Sequence, residues 1–185
     1  MLYTKGGDSG TTKFFGCDQR FSKSSKIAEA LGALDEINSY LGLCKVKIAG
    51  SFFVSVGGED LSGEKIIGSV QQDLFTIQAE IAGAEKTIEA GKIAWLEGII
   101  DHIEKDLPPI KSFVVSGGTE LASMLDFART ISRQAERRVV EVYEEGSVKI
   151  SEATIAYLNR LSSLLYALAR YANIQSGVVE EKPHY

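Results

Sequence analysis

The chain has 185 residues, the usual size of one domain, of which 44% are hydrophobic and 24% charged, as in an ordinary globular protein. A net charge of −5 argues against general binding to nucleic acids or membrane surfaces, and two cysteines and two histidines argue against a disulfide framework, a zinc enzyme or a Ser-His-Asp triad. Because no apolar run approaches the ~20 residues of a membrane span and the polar first ten residues do not resemble a signal peptide, we expect a cytoplasmic protein.

The first 25 residues are rich in glycine and polar side chains, and they contain the first candidate site. Glycines let a ligand approach the backbone, and turn amides with Thr and Lys side chains can cradle a phosphate, on which Asp8 could reach a magnesium ion. It is not a Walker A motif, because no Gly-Lys-Ser/Thr triplet occurs. A flexible N-terminal tail is the alternative interpretation. The segment reads Thr4-Lys5-Gly6-Gly7-Asp8-Ser9-Gly10-Thr11-Thr12-Lys13.

Five segments with apolar residues every three or four positions follow, and this spacing predicts five amphipathic helices. The apolar stripes run over residues 27–48, 66–81, 93–103, 122–142 and 155–168. Thr119 is the expected N-cap of the fourth helix. The third helix should stop at Pro108-Pro109, and the fifth should end before Gly177.

The remaining residues are predicted to be links between these helices. Residues 50–63 and 84–91 are expected to form loops, and residues 110–116 a short apolar segment before a double glycine. Since no strand alternation competes, we predict an all-α fold, a five-helix bundle. We expect one domain over residues 1–185, with an N-terminal loop at 1–25, the bundle at 26–176 and a tail at 177–185.

A ridge of arginines on the fourth predicted helix is the strongest candidate site. Arg129, Arg133 and Arg137 are spaced four residues apart and therefore line one face, where three like charges cost stability unless an anion or carboxylates answer them. Glu136 could hold one guanidinium in place. In an acidic protein such a ridge indicates an anion or phosphate site. The alternative is a solvated face paired with Glu120, Asp126, Glu136 and Glu141.

Weaker candidates lie on other segments. Small or polar residues beside the first apolar stripe would let another chain or a flat ligand approach, and Asp35 among them could pair with one of the arginines. Asn159 interrupts an apolar stretch of the fifth helix and could hold a ribose or phosphate, although a solvent-facing amide is the plainer interpretation. Phe113 more often plugs a core than touches a ligand. The small-residue line comprises Gly32, Asp35, Ser39 and Gly42.

Taken in order along nearly the whole chain, several motifs resemble the PduO-type ATP:cob(I)alamin adenosyltransferases. Besides the N-terminal segment they are Gly32-Ala33-Leu34-Asp35-Glu36-Ile37-Asn38, Gly117-Gly118-Thr119-Glu120-Leu121-Ala122, Ala128-Arg129-Thr130, Arg133-Gln134-Ala135-Glu136-Arg137 and Tyr157-Leu158-Asn159-Arg160-Leu161-Ser162. The resemblance implies a five-helix homotrimer with ATP bound between neighbouring subunits. It also implies transfer of the 5′-deoxyadenosyl group of ATP to the Co(I) of cobalamin, with release of triphosphate.

The resemblance assigns roles to individual residues. The loop around the phosphates would comprise Thr4, Lys5, Gly6, Gly7, Thr12 and Lys13, with Asp8 reaching Mg²⁺ through the phosphate. Lys23, Arg133, Glu136, Arg137 and Asn159 would complete the nucleotide site. Asp35 and Arg129 match a cross-subunit ion pair near the corrinoid. Phe113 matches the residue that crowds the lower face of cobalt and displaces its lower ligand. With Arg133, these three form the expected catalytic set.

Two departures from the family pattern bear on these roles. Gln134 stands where members commonly have a second arginine, which removes a contact, and Ser116 stands where a proline usually precedes the double glycine, which would loosen the segment behind Phe113. A reductase or a cobalamin-dependent acceptor enzyme would be a possible partner. A bundle that senses ATP without turnover, and a purely structural oligomer, are the alternative functions.

Overall fold

Five helices account for most of the chain in the computed structural model, which describes residues 2–14 and 19–184. In chain order they are α1 (Lys26–Ile48), α2 (Gly63–Ile81), α3 (Ala90–Asp106), α4 (Glu120–Glu145) and α5 (Glu152–Gln175). α4 packs against both α1 and α5, while α3 packs on α5 and α2 on α1. The predicted five helices are therefore confirmed.

Side-chain caps explain where four of the helices begin. Ser25, Ser62, Thr119 and Ser151 each accept a hydrogen bond from the backbone N–H three residues later, at 3.1–3.3 Å. The predicted cap at Thr119 is among them. α4 ends at Glu145, and Gly146 caps it with a φ of 68°, the left-handed conformation that glycine adopts at helix ends.

Two small antiparallel sheets correct the all-α expectation. β1 (Thr11–Lys13) pairs with β2 (Arg20–Ser22), and β3 (Phe53–Val56) pairs with β4 (Glu59–Ser62). The first lies in the predicted N-terminal loop and the second in the predicted loop at residues 50–63.

A recognisable sequence signal underlies the second sheet. Gly57 and Gly58 have φ angles of 61° and 87°, as a two-residue hairpin turn requires. On either side, Val54 and Leu61 are cross-strand partners with buried side chains, while the adjoining strand residues Phe53 and Asp60 are exposed. This is the alternating pattern of a hairpin with one buried face. Each strand has only four residues, so the alternation is much shorter than the helical stripes and was not recognised in the sequence.

A buried polar link joins three helices in the bundle interior. Tyr157 of α5 is completely buried, and its hydroxyl donates to Asp73 of α2 at 3.0 Å. Lys92 of α3 reaches the other oxygen of Asp73 at 2.9 Å. Burial, with Asp73 as the second cause, raises the pKa of Tyr157 above its usual range, so this phenol stays a donor.

Two further findings concern the described helices and the thiol on α1. None of those helices is both long enough and apolar enough to cross a bilayer. Cys44 is buried without a disulfide partner, and burial raises the pKa of its thiol to about 11. The other cysteine, Cys17, lies outside the described residues.

Candidate functional site

The segment between α3 and α4, residues 107–119, is called the connector below, and it forms one wall of a cavity of about 640 Å³. α4 contributes Arg129 and Arg133 to this connector cavity, and α5 contributes Tyr166. Phe113 lines it with a side chain that is 79% exposed, so the interpretation of Phe113 as a core plug is wrong. Three of the expected catalytic residues therefore surround one cavity.

Arg129 is held in place within its own chain. Its Nε lies 2.7 Å from Asp126 one turn earlier on α4, and its guanidinium carbon lies 5.9 Å from the centre of the Tyr166 ring. Burial opposes ionisation of Asp126, but hydrogen bonds from Arg129 and Ser116 and the charge of Arg129 outweigh it and lower the carboxyl pKa.

The other two ridge arginines keep their charges available. Arg133 and Arg137 are exposed, and neither forms an ion pair with any carboxylate in the described part of the chain. Glu136, expected to hold a guanidinium, instead accepts a hydrogen bond from the Asn159 amide at 3.1 Å. The ridge is therefore not the fully paired surface of the alternative interpretation, although Asp126 does pair with Arg129.

Asn159 is fixed on both sides of its carboxamide. Its oxygen accepts from Arg160 at 2.8 Å, and Arg160 in turn lies 2.8 Å from Glu97 of α3. The nitrogen donates to Glu136. Four predicted nucleotide-binding residues of α4 and α5 thus occupy neighbouring turns of two packed helices: Arg133, Glu136, Arg137 and Asn159.

The N-terminal segment is a structured turn, which contradicts the interpretation as a flexible tail. The amide of Asp8 donates to the Lys5 carbonyl at 3.2 Å, and that of Gly10 to the Gly7 carbonyl at 3.1 Å. A Cβ at Gly7 would lie 2.9 Å from Nζ of Lys23, so a larger residue there would displace the end of this lysine side chain.

Arg20 of β2 is the residue that sequence reasoning missed. Its guanidinium donates to the hydroxyl of Thr11 at 2.8 Å, to the carbonyl of Thr11 at 3.0 Å and to the carbonyl of Gly6. It thereby joins the turn to the strand that follows. Arg20 lies nine residues after Thr11 and belongs to no periodic pattern, so nothing in the sequence indicated that the two residues are in contact.

A second cavity of about 620 Å³, the hairpin cavity, is lined by Asp35 and by none of the ridge arginines. It lies between the β1–β2 hairpin and helices α1 and α2, and its lining includes Thr12, Lys13, Lys23 and Asp35. Among the described residues Asp35 forms no ion pair with Arg129, Arg133 or Arg137, so the suggested pairing of Asp35 with an α4 arginine does not form within one chain. Asp8 is exposed, and the described residues contain no group of three potential metal-binding side chains.

Comparison with known proteins assigns the family. The family model described as cobalamin adenosyltransferase matches residues 2–172. The chain belongs to this family. It is 38% identical to the corrinoid adenosyltransferase of Bacillus subtilis, over 96% of this chain and 89% of that protein. It is 39% identical to the corrinoid adenosyltransferase PduO of Salmonella typhimurium, over 91% of this chain but only 48% of that protein, so the chain spans about half the length of that relative.

Solved structures of the family have the same fold. A variant of the PduO-type ATP:corrinoid adenosyltransferase from Lactobacillus reuteri, with phenylalanine replaced by histidine and complexed with cobalamin and ATP, superposes with a TM-score of 0.87. It is 31% identical over 99% of this chain and 96% of that one. An arginine-to-lysine variant complexed with ATP gives a TM-score of 0.84 at 30% identity, over 99% of this chain and 100% of that one. The resemblance drawn from the motifs, and the transferase class that it implied, are confirmed.

Proposed function

We propose that this chain transfers the 5′-deoxyadenosyl group of ATP to the Co(I) of a reduced corrinoid, forming adenosylcobalamin and triphosphate. The observation that carries the proposal is the connector cavity, where an exposed aromatic ring and guanidinium groups of α4 surround one open space. Such a space suits a large, flat, partly apolar ligand beside a polyanion. Family membership supports the same reaction.

The reaction needs no nucleophile from the protein. Co(I) attacks C5′ of ATP, a Co–C bond forms, and the C5′–O bond breaks with its electron pair leaving on the triphosphate. Cobalt is formally oxidised from Co(I) to Co(III) and no further reductant is consumed in this step. The protein supplies geometry and fixed positive charge, which stabilise the leaving triphosphate.

The nucleotide site is proposed to form between two copies of the chain in a homotrimer. The hairpin cavity is lined by Thr12, Lys13 and Lys23, whereas the connector cavity is lined by Arg129 and Arg133 of the ridge, so one bound ATP would use both sets only if neighbouring subunits brought them together. The turn would comprise Thr4, Lys5, Gly6, Gly7, Thr12 and Lys13. Arg133, Glu136, Arg137 and Asn159 of the neighbouring subunit would complete the site. Asp35 would then meet Arg129 across the same boundary.

Magnesium would accompany the triphosphate. Mg²⁺ usually keeps several waters and takes one or two carboxylates beside substrate phosphates, and the single exposed Asp8 fits that limited role. Phe113 would occupy the lower face of cobalt, where a lower ligand would otherwise bind. We place the reaction in the cytoplasm, with a reductase supplying Co(I) and a cobalamin-dependent enzyme receiving the product.

An anaerobic assay with ATP and chemically reduced cobalamin tests the proposal. Adenosylcobalamin and triphosphate should appear in equal amounts, followed by the corrinoid spectrum and by chromatography. Stabilisation of the fold by ATP without any adenosylcobalamin would instead favour a nucleotide-sensing bundle. If ATP neither reacts nor raises the unfolding temperature, the chain is a structural oligomer and the proposal is wrong.

A further inference from the structure

The connector carries Phe113 without packing that would fix it. None of residues 107–119 is buried, and the connector contains no helix or strand. Within the described residues, its one backbone hydrogen bond to the tail runs from the Val115 amide to the Glu181 carbonyl, at 2.9 Å. An exposed aromatic ring on an irregular segment needs another means of positioning.

Two buried side chains of α5 hold the ends of the connector. Arg170 donates from Nη2 to the Pro108 carbonyl at 3.0 Å, at the start of the connector. Asn173, three residues later on the same face of α5, donates to the Gly117 carbonyl at 2.9 Å and accepts from the Thr119 amide at 2.9 Å. Arg170 is 6% and Asn173 8% exposed, so these contacts exclude most competing water.

The contact at the far end of the connector requires a glycine. A Cβ on Gly118 would lie 2.3 Å from Oδ1 of Asn173, and Gly118 has a φ of 98°, which side chains rarely adopt. The double glycine therefore lets the backbone approach α5 closely enough for the carboxamide of Asn173 to bridge both sides of the turn.

The C-terminal tail fixes the other anchor. Glu180 accepts from Nε and Nη2 of Arg170, both at 2.7 Å, in a bidentate ion pair. The hydrogen bond with Glu180 is the main reason that the pKa of Arg170 is raised, so the guanidinium remains charged. Tail, connector and α5 thus meet at one side chain.

We propose that Arg170 and Asn173 are positioning residues that set where Phe113 stands in the connector cavity. The inference rests on the proposed function, because only there does the position of Phe113 matter for the corrinoid. Loosening either end would let Phe113 move, so the lower ligand would stay on cobalt and Co(II) would be harder to reduce. ATP binding, which uses other residues, would change little.

The test uses Arg170→Lys, which keeps the charge beside Glu180 but loses the planar fork, and Asn173→Asp, which loses the donor to Gly117. Arg138→Lys on α4 is the matched control, because the one ion pair of Arg138 among the described residues is with the half-buried Glu141 on its own helix. With enzyme-bound Co(II)alamin as the starting material, Arg170→Lys and Asn173→Asp should each lower kcat by about tenfold or more, because small misplacements of a reacting group slow a reaction strongly. The KM for ATP should stay within about twofold of the parent value. The four-coordinate Co(II) signal on ATP-loaded protein should fall in parallel.

A cycle with Phe113→Ala separates positioning from a purely structural role. If Arg170 and Asn173 act through Phe113, adding either change to Phe113→Ala should lower kcat by less than about twofold more. Full additivity, or a parent-like Co(II) signal in both single variants, would overturn the proposal. An inactive parent would instead reject the proposed function.

Hydrogen exchange on the unmodified protein keeps the proposal open to rejection even if the variants do not fold. The amides of Val115 and Thr119 should be protected, because both donate to fixed acceptors. Exchange of both at the rate of an unfolded chain would mean that the connector is not held, and the proposal would be wrong.

Discussion

Neighbouring arginines on α4 differ in whether a carboxylate already pairs with the guanidinium. Arg129 is bound to Asp126 and lies beside Tyr166, so its position is set before any ligand arrives. Arg133, one turn later, is exposed and has no carboxylate partner among the described residues. A bound polyanion would therefore gain Arg133 without breaking an ion pair, whereas Arg129 suits the fixed wall of a cavity.

Replacing Arg133 by alanine should weaken ATP use far more than folding. A lost charge-assisted hydrogen bond is worth about 1.5–3 kcal/mol, so kcat/KM for ATP should fall about ten- to hundredfold. Steady-state kinetics and thermal unfolding of the same preparation measure both effects. Gln134→Ala is the control on the adjacent exposed position and should change the kinetics little. Unchanged ATP kinetics in folded Arg133→Ala protein would remove Arg133 from the site.

Phe113→Ala should leave both stability and ATP affinity almost intact. The side chain is 79% exposed, and exposed substitutions usually change the free energy of unfolding by no more than about 0.5 kcal/mol. Adenosylation that starts from Co(II)alamin should nevertheless be mostly lost, because alanine leaves room for the lower ligand. Spectra of Co(II)alamin on the ATP-loaded protein report the coordination directly. A four-coordinate signal as strong as in the parent would contradict the proposed role.

At the scale of elements, the hairpin β3–β4 is joined to the bundle by close packing where α2 begins. Gly63 is the first residue of α2 and is buried, and a Cβ there would lie 2.6 Å from the side chain of Ile48 at the end of α1. Phe52, just before the hairpin, lies 3.3 Å from the same point. The glycine therefore lets three elements meet without a gap.

Gly63→Ala should destabilise the fold, because an extra methyl group in a packed site costs about 1–3 kcal/mol. Gly91→Ala is the matched control, since Gly91 lies in the first turn of α3 with nothing within 4 Å of its added Cβ. That change should be neutral or stabilise the protein by about 0.4–1 kcal/mol. Chemical unfolding of the two variants compares them directly. Equal stabilities would mean that α2 shifts freely away from α1.

On the scale of the whole molecule, an exposed apolar surface on α1 and α4 is available for a second copy of the chain. Leu43 and Val46 are 58% and 80% exposed, and Phe127 is 55% exposed with its ring 5.2 Å from that of Tyr40. Clustered exposed apolar side chains of this kind mark interfaces more often than free surface. The surface is consistent with the proposed homotrimer.

Leu43→Asp should dissociate the proposed homotrimer without unfolding the chain, because it places a charge on this apolar surface. Light scattering after gel filtration gives the mass, and circular dichroism gives the helix content. Phe53→Asp on the exposed face of β3 is the control and should leave the mass unchanged. An unchanged mass for Leu43→Asp would show that this surface is not the interface.

Asp35 and Arg129 should be energetically coupled only in the assembled protein. Asp35→Asn and Arg129→Ala should each weaken cobalamin binding or loosen the trimer, with less change in ATP affinity. The double variant should deviate from additivity by about 0.5 kcal/mol or more if the side chains meet across the boundary. Arg129→Ala also leaves Asp126 without its partner, so Asp126→Asn is the control for that loss. If the effects of the two single changes on cobalamin affinity and on trimer stability simply add in the double variant, Asp35 and Arg129 do not touch.

Local periodicity explains which features the sequence determined by itself. A 3.6-residue repeat places apolar residues on one face wherever the helix packs, so five helices and the common face of Arg129, Arg133 and Arg137 could be predicted. Caps such as Thr119 act within four residues and are equally local. The order of short motifs along the chain was sufficient to predict the family.

Only the tertiary structure decided which distant residues meet. Asn173 contacts Thr119 across 54 positions, and Arg170 contacts Pro108 across 62, and no repeat in the sequence records such pairs. That Asp35 and Arg129 line different cavities likewise depends on how α1, α2 and α4 are arranged, not on either helix alone. The physical reason is that spacing along a helix fixes the face of a side chain, whereas its partner is fixed by the packing of whole elements.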